Sequence, residues 1–288
     1  MTKLSQQGLY KEVTESIICL CATTPLYSIR IEDICNFINE KYEFNSRDRY
    51  RSGSIMFALD KITQLELSDL SKNQSKLYKE VAAVLARKVS KSDDDKAKRV
   101  GRWRRTSFQI WFIAHFHIWR KFSPIAAVIG YNITPVLKLK LIAEHFFNFF
   151  MPRNSADTEM AEGIREIIIV EGTMPVGLKK SLPDGGKQWC EPMSPFWLNF
   201  AQLLDQLISE LQAWKIVGTN FNAQALRQGI LGVMVHQILG YTLDKRMNCS
   251  GISCEFDFDQ ALRITRQTCF GFCLEERAWQ EFVKEWPV

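Results

Sequence analysis

Four cysteines near the C-terminus carry the spacing in this chain that most resembles a metal site. Cys249, Cys254, Cys269 and Cys273 form C-x4-C-x14-C-x3-C. Four thiolates hold tetrahedral zinc, and a helix can offer two of them from positions i and i+4, as Cys269 and Cys273 would. The usual knuckle is tighter, however, and cysteines also serve as small apolar core residues. No cofactor is therefore assigned, and these four residues are the ligand set should zinc bind. His115 and His117 lie two apart on a helical stretch, hence on different faces, which makes a poor metal pair. His145 follows Glu144 among phenylalanines and reads as a core residue, while His236 stands alone. Asp257 and Asp259 in CEFDFDQ resemble a two-carboxylate arrangement, and a helix-start cap explains them equally well. No G-x-S-x-G, P-loop or H-E-x-x-H motif occurs, so no enzymatic activity is expected.

Charge gives a different signal. The segment Ala86–Arg105 holds nine lysines and arginines, with three consecutive aspartates at Asp93–Asp95. Residues 1–108 carry 20 basic against 14 acidic side chains, whereas the remaining 180 carry 17 against 18. The positive excess thus lies in the first third of the chain, as for a surface that meets a polyanion. Duplex readers present a helix whose outer face reaches phosphates and base edges. In SKNQSKLYKEV, Asn73, Gln74, Ser75, Lys76, Tyr78 and Lys79 supply such a face, with Leu77 and Val81 behind it. Asn and Gln suit adenine; Lys and Arg suit guanine or phosphate. Arg47, Arg49 and Arg51 precede that segment, and Arg99, Arg102, Arg104 and Arg105 follow it as candidate phosphate contacts. The same features also suit a solvated face and linker.

These residues need helices to position them. Apolar residues at 9, 10, 13, 17, 18, 20 and 21 predict a helix over 8–22, and Ile31, Ile34, Cys35 and Ile38 predict a second. A third fits SIMFALDKI, with Ile55, Ala58, Leu59 and Ile62 inward. Two short helices about a turn near Ser71–Asn73 then form a helix-turn-helix over 63–85. In a competing register, helices 31–44 and 54–67 make the pair and 68–80 a wing-like extension. Residues 91–105 read as a basic linker. Two long buried helices fit 106–151, split near Pro124–Pro135. Ile167–Val170 extends a helix or forms a strand, and 172–195 is a long loop. Amphipathic helices fit 196–217 and 221–240, and a last helix fits 257–284. The nine rings of Trp111, Phe112, Phe116, Trp119, Phe122, Phe146, Phe147, Phe149 and Phe150 predict a cavity or an interface. Phe200, Leu203, Leu204, Leu207, Ile208 and Leu211 form a stripe able to pair with its own copy.

The expected fold is all-α. An N-terminal helix-turn-helix or winged-helix domain (1–90) and a linker (91–105) precede a larger helical domain (106–288). The 288 residues and 46% hydrophobic content suffice for two ordinary domains. No apolar run reaches the ~18–20 residues of a membrane span. The start MTKLSQQGLYKEV lacks a signal-peptide core. A cytoplasmic protein with mostly free thiols is therefore expected.

FFMPRNSADTEMAEGIREIIIVEG and LLDQLISELQAWKIVGTNFNAQALRQGILGVMVHQIL resemble the paired helices of the ligand-binding, dimerising domain of TetR-like transcriptional regulators. The resemblance spans residues 105–240 in texture. At the N-terminus the family's glycine-containing turn and aromatic signature are absent, and only Leu77 and Tyr78 fit. It implies a homodimeric regulator that binds double-stranded DNA and holds a small apolar ligand. The alternative is a helical protein–protein adaptor subunit of a nucleoprotein or defence complex.

Overall fold

The computed structural model describes residues 4–44, 48–70, 95–152, 158–170, 194–219, 221–247, 256–271, 280 and 283–287. The side chains of 27, 95–105, 170, 195, 245–247 and 270 fall outside that description. Every element within it is helical: α1 (Gln6–Leu20), α2 (Ile31–Lys41), α3 (Ser52–Ser68), α4 (Asp95–Phe122), α5 (Pro135–Phe150), α6 (Thr158–Arg165), α7 (Pro195–Ala213), α8 (Ala223–Met247) and α9 (Phe258–Phe270). A 3-10 stretch covers Ser123–Gly130, and a π-helical turn, Glu166–Val170, follows α6. The all-α expectation holds, and the run Ile167–Val170 is helical, not a strand. Among the described residues no helix is long and apolar enough to cross a membrane.

The chain packs as two compact units that do not follow chain order. Met1–Ile118 joins Thr158–Phe196, and Trp119–Asp157 joins Trp197–Val288. In the first unit α1, α2 and α3 pack on one another. Their buried stripes are Val13, Ile17 and Ile18; Ile34 and Ile38; and Ile55, Ala58, Leu59 and Ile62. The i, i+3, i+4 and i+7 spacing puts each set on one face. Caps set the starts. Ser5 Oγ accepts from the Gly8 N–H at 3.1 Å, and the Arg30 N–H donates to Asp33 Oδ2 at 2.8 Å.

α3 runs through to Ser68, so residues 63–68 continue it and form no separate short helix. Thr63 and Glu66 stay on its buried face, which keeps the period unbroken. Leu67 and Leu70 then pack against Phe108 and Phe112 of α4, with Trp111 beside them. Gln109 Nε2 donates to Asp60 Oδ1 at 2.6 Å across the same contact. α4 begins at Asp95, inside the segment read as linker. Lysine, arginine and alanine are good helix formers, and an aspartate suits a helix start. Residues 95–105 lack apolar periodicity because they are a polar stretch of helix.

α6 lies against α1 in the same unit. The approach is closest at Gly163. A Cβ built there would overlap the Ile18 carbonyl oxygen and lie 2.7 Å from its carbon.

The second unit has a phenylalanine core. Phe122 meets Phe149 and Phe200 edge-on, at 5.2 and 5.1 Å between ring centres, and Phe146 stacks on Phe200 at 5.4 Å. Phe122, Phe146, Phe147 and Phe150 are fully buried. The rings of 119–150 are therefore used against each other and against α7. The α7 stripe, from Phe200 to Leu211, is no more than 4% exposed within the single chain. It lies in this unit's own core, which overturns its expected role as a self-pairing surface. A void beside it, lined by Leu139, Ile208, Leu211, Val217, Leu226, Ile230 and Cys269, has about 10 Å³, room for about one water.

Polar ties fix these helices. Lys138 Nζ, on α5, bonds the Ile129 carbonyl at 2.5 Å and Glu210 Oε2 on α7 at 2.7 Å. Arg227 on α8 pairs with Asp205 on α7. Asp257 caps α9, its Oδ1 accepting from the Gln260 N–H at 2.9 Å, so the acidic pair in CEFDFDQ includes a helix cap. Asp257→Ala is expected to lower stability by about 1 kcal/mol, measured as a shift in the urea midpoint at constant m-value. α9 ends at Phe270 with Gly271 as its C-cap, where the sequence pattern predicts a continuous helix to 284.

Candidate nucleic-acid interface

The first unit presents two of its exposed cations, Arg49 and Arg51, where α2 turns into α3. The stretch D-R-Y-R-S alternates inward and outward. Tyr50 is 8% exposed, while Arg49 and Arg51 on either side are exposed. Asn39 enforces that alternation. Its Nδ2 donates to the Tyr50 carbonyl at 3.0 Å and its Oδ1 accepts the Tyr50 N–H at 2.8 Å. The Cys35 thiol donates to the same carbonyl at 2.9 Å, and the Tyr50 hydroxyl accepts the Leu4 N–H at 3.0 Å. Phe44 meets the Tyr50 ring edge-on at 5.6 Å. With Tyr50 anchored inward and Arg51 in an extended conformation (φ −114°, ψ 158°), the two arginines point away from the core.

Arg51 is also the residue from which α3 starts. Ser54 and Ile55 N–H groups bond its carbonyl at 2.8 and 3.3 Å. The first turn, Ser52-Gly53-Ser54, carries no acidic residue, and a side chain on Gly53 would meet open space. The positive end of the α3 dipole is thus accessible and directly preceded by two exposed arginines, an arrangement that attracts phosphate. Acidic groups oppose it: Glu32 Oε1 accepts from Ser52 Oγ at 3.5 Å, and Asp48 directly precedes Arg49. Burial raises the Cys35 thiol pKa above its ordinary value. Its bond with Asn39 and the charge of Arg49 pull it back, while Glu32 pushes the same way as burial.

The outer face of α3 is more apolar than the sequence suggests. Met56, Phe57 and Leu65 are 46%, 53% and 56% exposed. Lys61 Nζ sits 5.8 Å from the Phe57 ring centre and 3.4 Å from Gln64 Oε1. Exposed apolar residues on a helix otherwise patterned for burial give no signal in periodicity.

The other expected DNA contacts fall elsewhere. Asn73, Gln74, Ser75, Lys76, Tyr78, Lys79 and Arg47 lie outside the described residues. Arg99, Arg102, Arg104 and Arg105 lie on α4, and their side chains are outside the description. Cys249, Cys254 and Cys273 are likewise outside it, whereas Cys269 is buried among the leucines and isoleucines of the small void. Among the described residues no cluster of three or more His, Cys, Asp or Glu could hold a metal.

Two of the four histidines, His115 and His145, sit among core groups, whereas His236 is exposed. His115 is 2% exposed, with its Nδ1 2.6 Å from Ser194 Oγ and its ring 4.9 Å from that of Trp111. Burial pushes its pKa down to about 3. A ring so weakly basic is ill matched to proton abstraction near neutral pH. His145 Nε2 lies 3.3 Å from the Phe122 carbonyl. Burial lowers its pKa, and that backbone bond partly offsets the shift.

Comparison with protein-family models, with curated proteins and with solved structures finds no match to this chain.

Proposed function

We propose that the chain is a duplex-DNA-binding regulator that engages DNA through the N-terminal half of α3. The observation that carries this reading is the pairing of exposed Arg49 and Arg51 with the open, acid-free first turn of α3. The competing register of the sequence, with α2 and α3 as the helix pair and the residues after Ser68 as a wing, accommodates these helix bounds. α2 and α3 are joined by residues 42–51, longer than the 3–4-residue turn of a simple helix-turn-helix. Phe57 and Met56, one turn into α3, suit thymine methyl groups, and Lys61 and Gln64 suit phosphate or base edges. A palindromic site would require two copies.

The test is fluorescence anisotropy of a labelled duplex across a salt series. Arg49→Ala with Arg51→Ala is expected to reduce the slope of log affinity against log salt by about 1.8, roughly 0.9 per lost phosphate contact. An unchanged slope would remove α3 from the interface and leave Asn73 and Gln74 as the reading residues. Each of those should then be worth roughly 1–3 kcal/mol of base discrimination.

The exposed apolar side chains of Met56, Phe57 and Leu65 on α3 favour the second reading, an adaptor that binds protein. Absence of duplex binding at low salt would select it.

A further inference from the structure

A cleft in the second unit lies between α5 and α9, with the C-terminal Trp286 at its edge. Lys140 and Glu144 line it from one turn of α5; Asp259, Arg263 and Arg266 line it from one stripe of α9. The spacings i, i+4 and i, i+4, i+7 put each set on a single helix face. Its volume of about 440 Å³ falls within the roughly 300–1,000 Å³ of small-molecule sites.

The charges that line it have a positive excess: Lys140, Arg263 and Arg266 against Glu144 and Asp259. Lys140 Nζ lies 3.8 Å from Glu144 Oε1, and these two answer each other. Asp259 sits in the first turn of α9, where the helix dipole favours a negative charge. Arg263 is exposed, whereas Arg266 lines the cleft at only 4% exposure. A guanidinium so placed presents a planar fork suited to a carboxylate. Leu262, Trp286 and Pro287 supply an apolar wall beside it.

We infer that this cleft binds a small carboxylic acid with a flat, apolar body, its carboxylate on Arg266 and Arg263 and its body against Trp286 and Leu262. Burial pushes the Arg266 pKa down from its ordinary value, and a bound carboxylate would offset that cost of holding the charge. The inference does not depend on DNA binding, since every residue in it belongs to the second unit.

The test is calorimetric titration of the full chain with three probes: sodium benzoate, benzamide as its uncharged counterpart, and inorganic phosphate as an anion without an apolar body. Benzoate is expected to bind one-to-one and at least about ten-fold more tightly than either control. Arg266→Gln and Arg263→Gln should each weaken benzoate about ten-fold. Arg263 is exposed, so its variant keeps the test valid should Arg266→Gln fail to fold. Trp286→Phe should weaken benzoate and leave phosphate unchanged. Equal binding of benzoate and benzamide would overturn the assignment, as would equal binding of benzoate and phosphate. So would absence of heat with benzoate, or an Arg263→Gln variant that binds benzoate as the native chain does.

Discussion

Gly163→Ala is expected to destabilise the protein by about 3 kcal/mol or more, a large loss for a single added methyl group. Two effects oppose each other. In a helix interior, replacing glycine with alanine gains about 0.8–1 kcal/mol from backbone entropy. Against it stands the contact with α1: the new Cβ would overlap the Ile18 carbonyl oxygen, lie 2.7 Å from its carbon and 3.2 Å from Ile18 Cγ2. A flexible side chain could swing aside; a helix carbonyl cannot. The Ile18 oxygen is further held by the Cys21 N–H at 3.1 Å, at the end of α1. Accommodating the methyl group therefore means moving α6 bodily away from α1 and loosening the burial of Ile17, Ile18 and Ile164. Urea unfolding measures the cost as a lowered midpoint. Gly232→Ala, on α8 with nothing within 4 Å of the added carbon, isolates the propensity term and should stabilise by up to about 1 kcal/mol. If Gly163→Ala stabilised the protein as Gly232→Ala is expected to, the close α1–α6 packing would be disproved.

The second large effect is acid sensitivity centred on His115. Burial holds its folded pKa at about 3, against about 6.5 for an unfolded chain. Between those values the unfolded state binds the extra proton, so stability rises with pH in that window. It is fully present above about 6.5 and falls as pH drops toward 3. Each pKa unit is worth about 1.4 kcal/mol, so the group alone can cost several kcal/mol by pH 4. Protonation would add a charge between Trp111 and Ser194 at a fully buried site, which is the physical source of the penalty. His115→Gln retains a side-chain amide that can meet Ser194 and removes the titration. Its urea midpoint should depend less steeply on pH between 4 and 6.5 than that of the native chain. Equal slopes would mean that His115 does not stay neutral in the fold.

Much of the helical framework is legible in the sequence because its signals are local. The apolar spacing of Ile34, Cys35 and Ile38, or of Ile55, Leu59 and Ile62, specifies both a helix and its buried face. Periodicity does not say what covers that face. The stripe from Phe200 to Leu211 reads equally as a dimer seam and as a core wall, and the partner helices that settle it are distant in sequence. The start of α4 escapes notice for the opposite reason: lysines and arginines form helix readily without leaving an apolar pattern. Of the candidate interface, the arginine cluster is legible as charge. Its orientation is not, because it depends on Asn39 clasping the Tyr50 backbone eleven residues away. The α1–α6 contact is out of reach, since a glycine in a helix has no pattern of its own.

The interleaving of the two units sets a timetable for synthesis. Ile18 and Gly163, which touch in the first unit, are 145 residues apart. At ~5–20 residues per second a ribosome takes roughly 7–30 s to make that stretch. For that interval the α1 surface around Ile17 and Ile18 emerges without its α6 cover. α5 and the end of α4, destined for the other unit, are made in between. A nascent chain arrested near residue 150 should therefore be protease-sensitive around α1 and attractive to a chaperone. One released past residue 196 should resist cleavage there, before the second unit is complete.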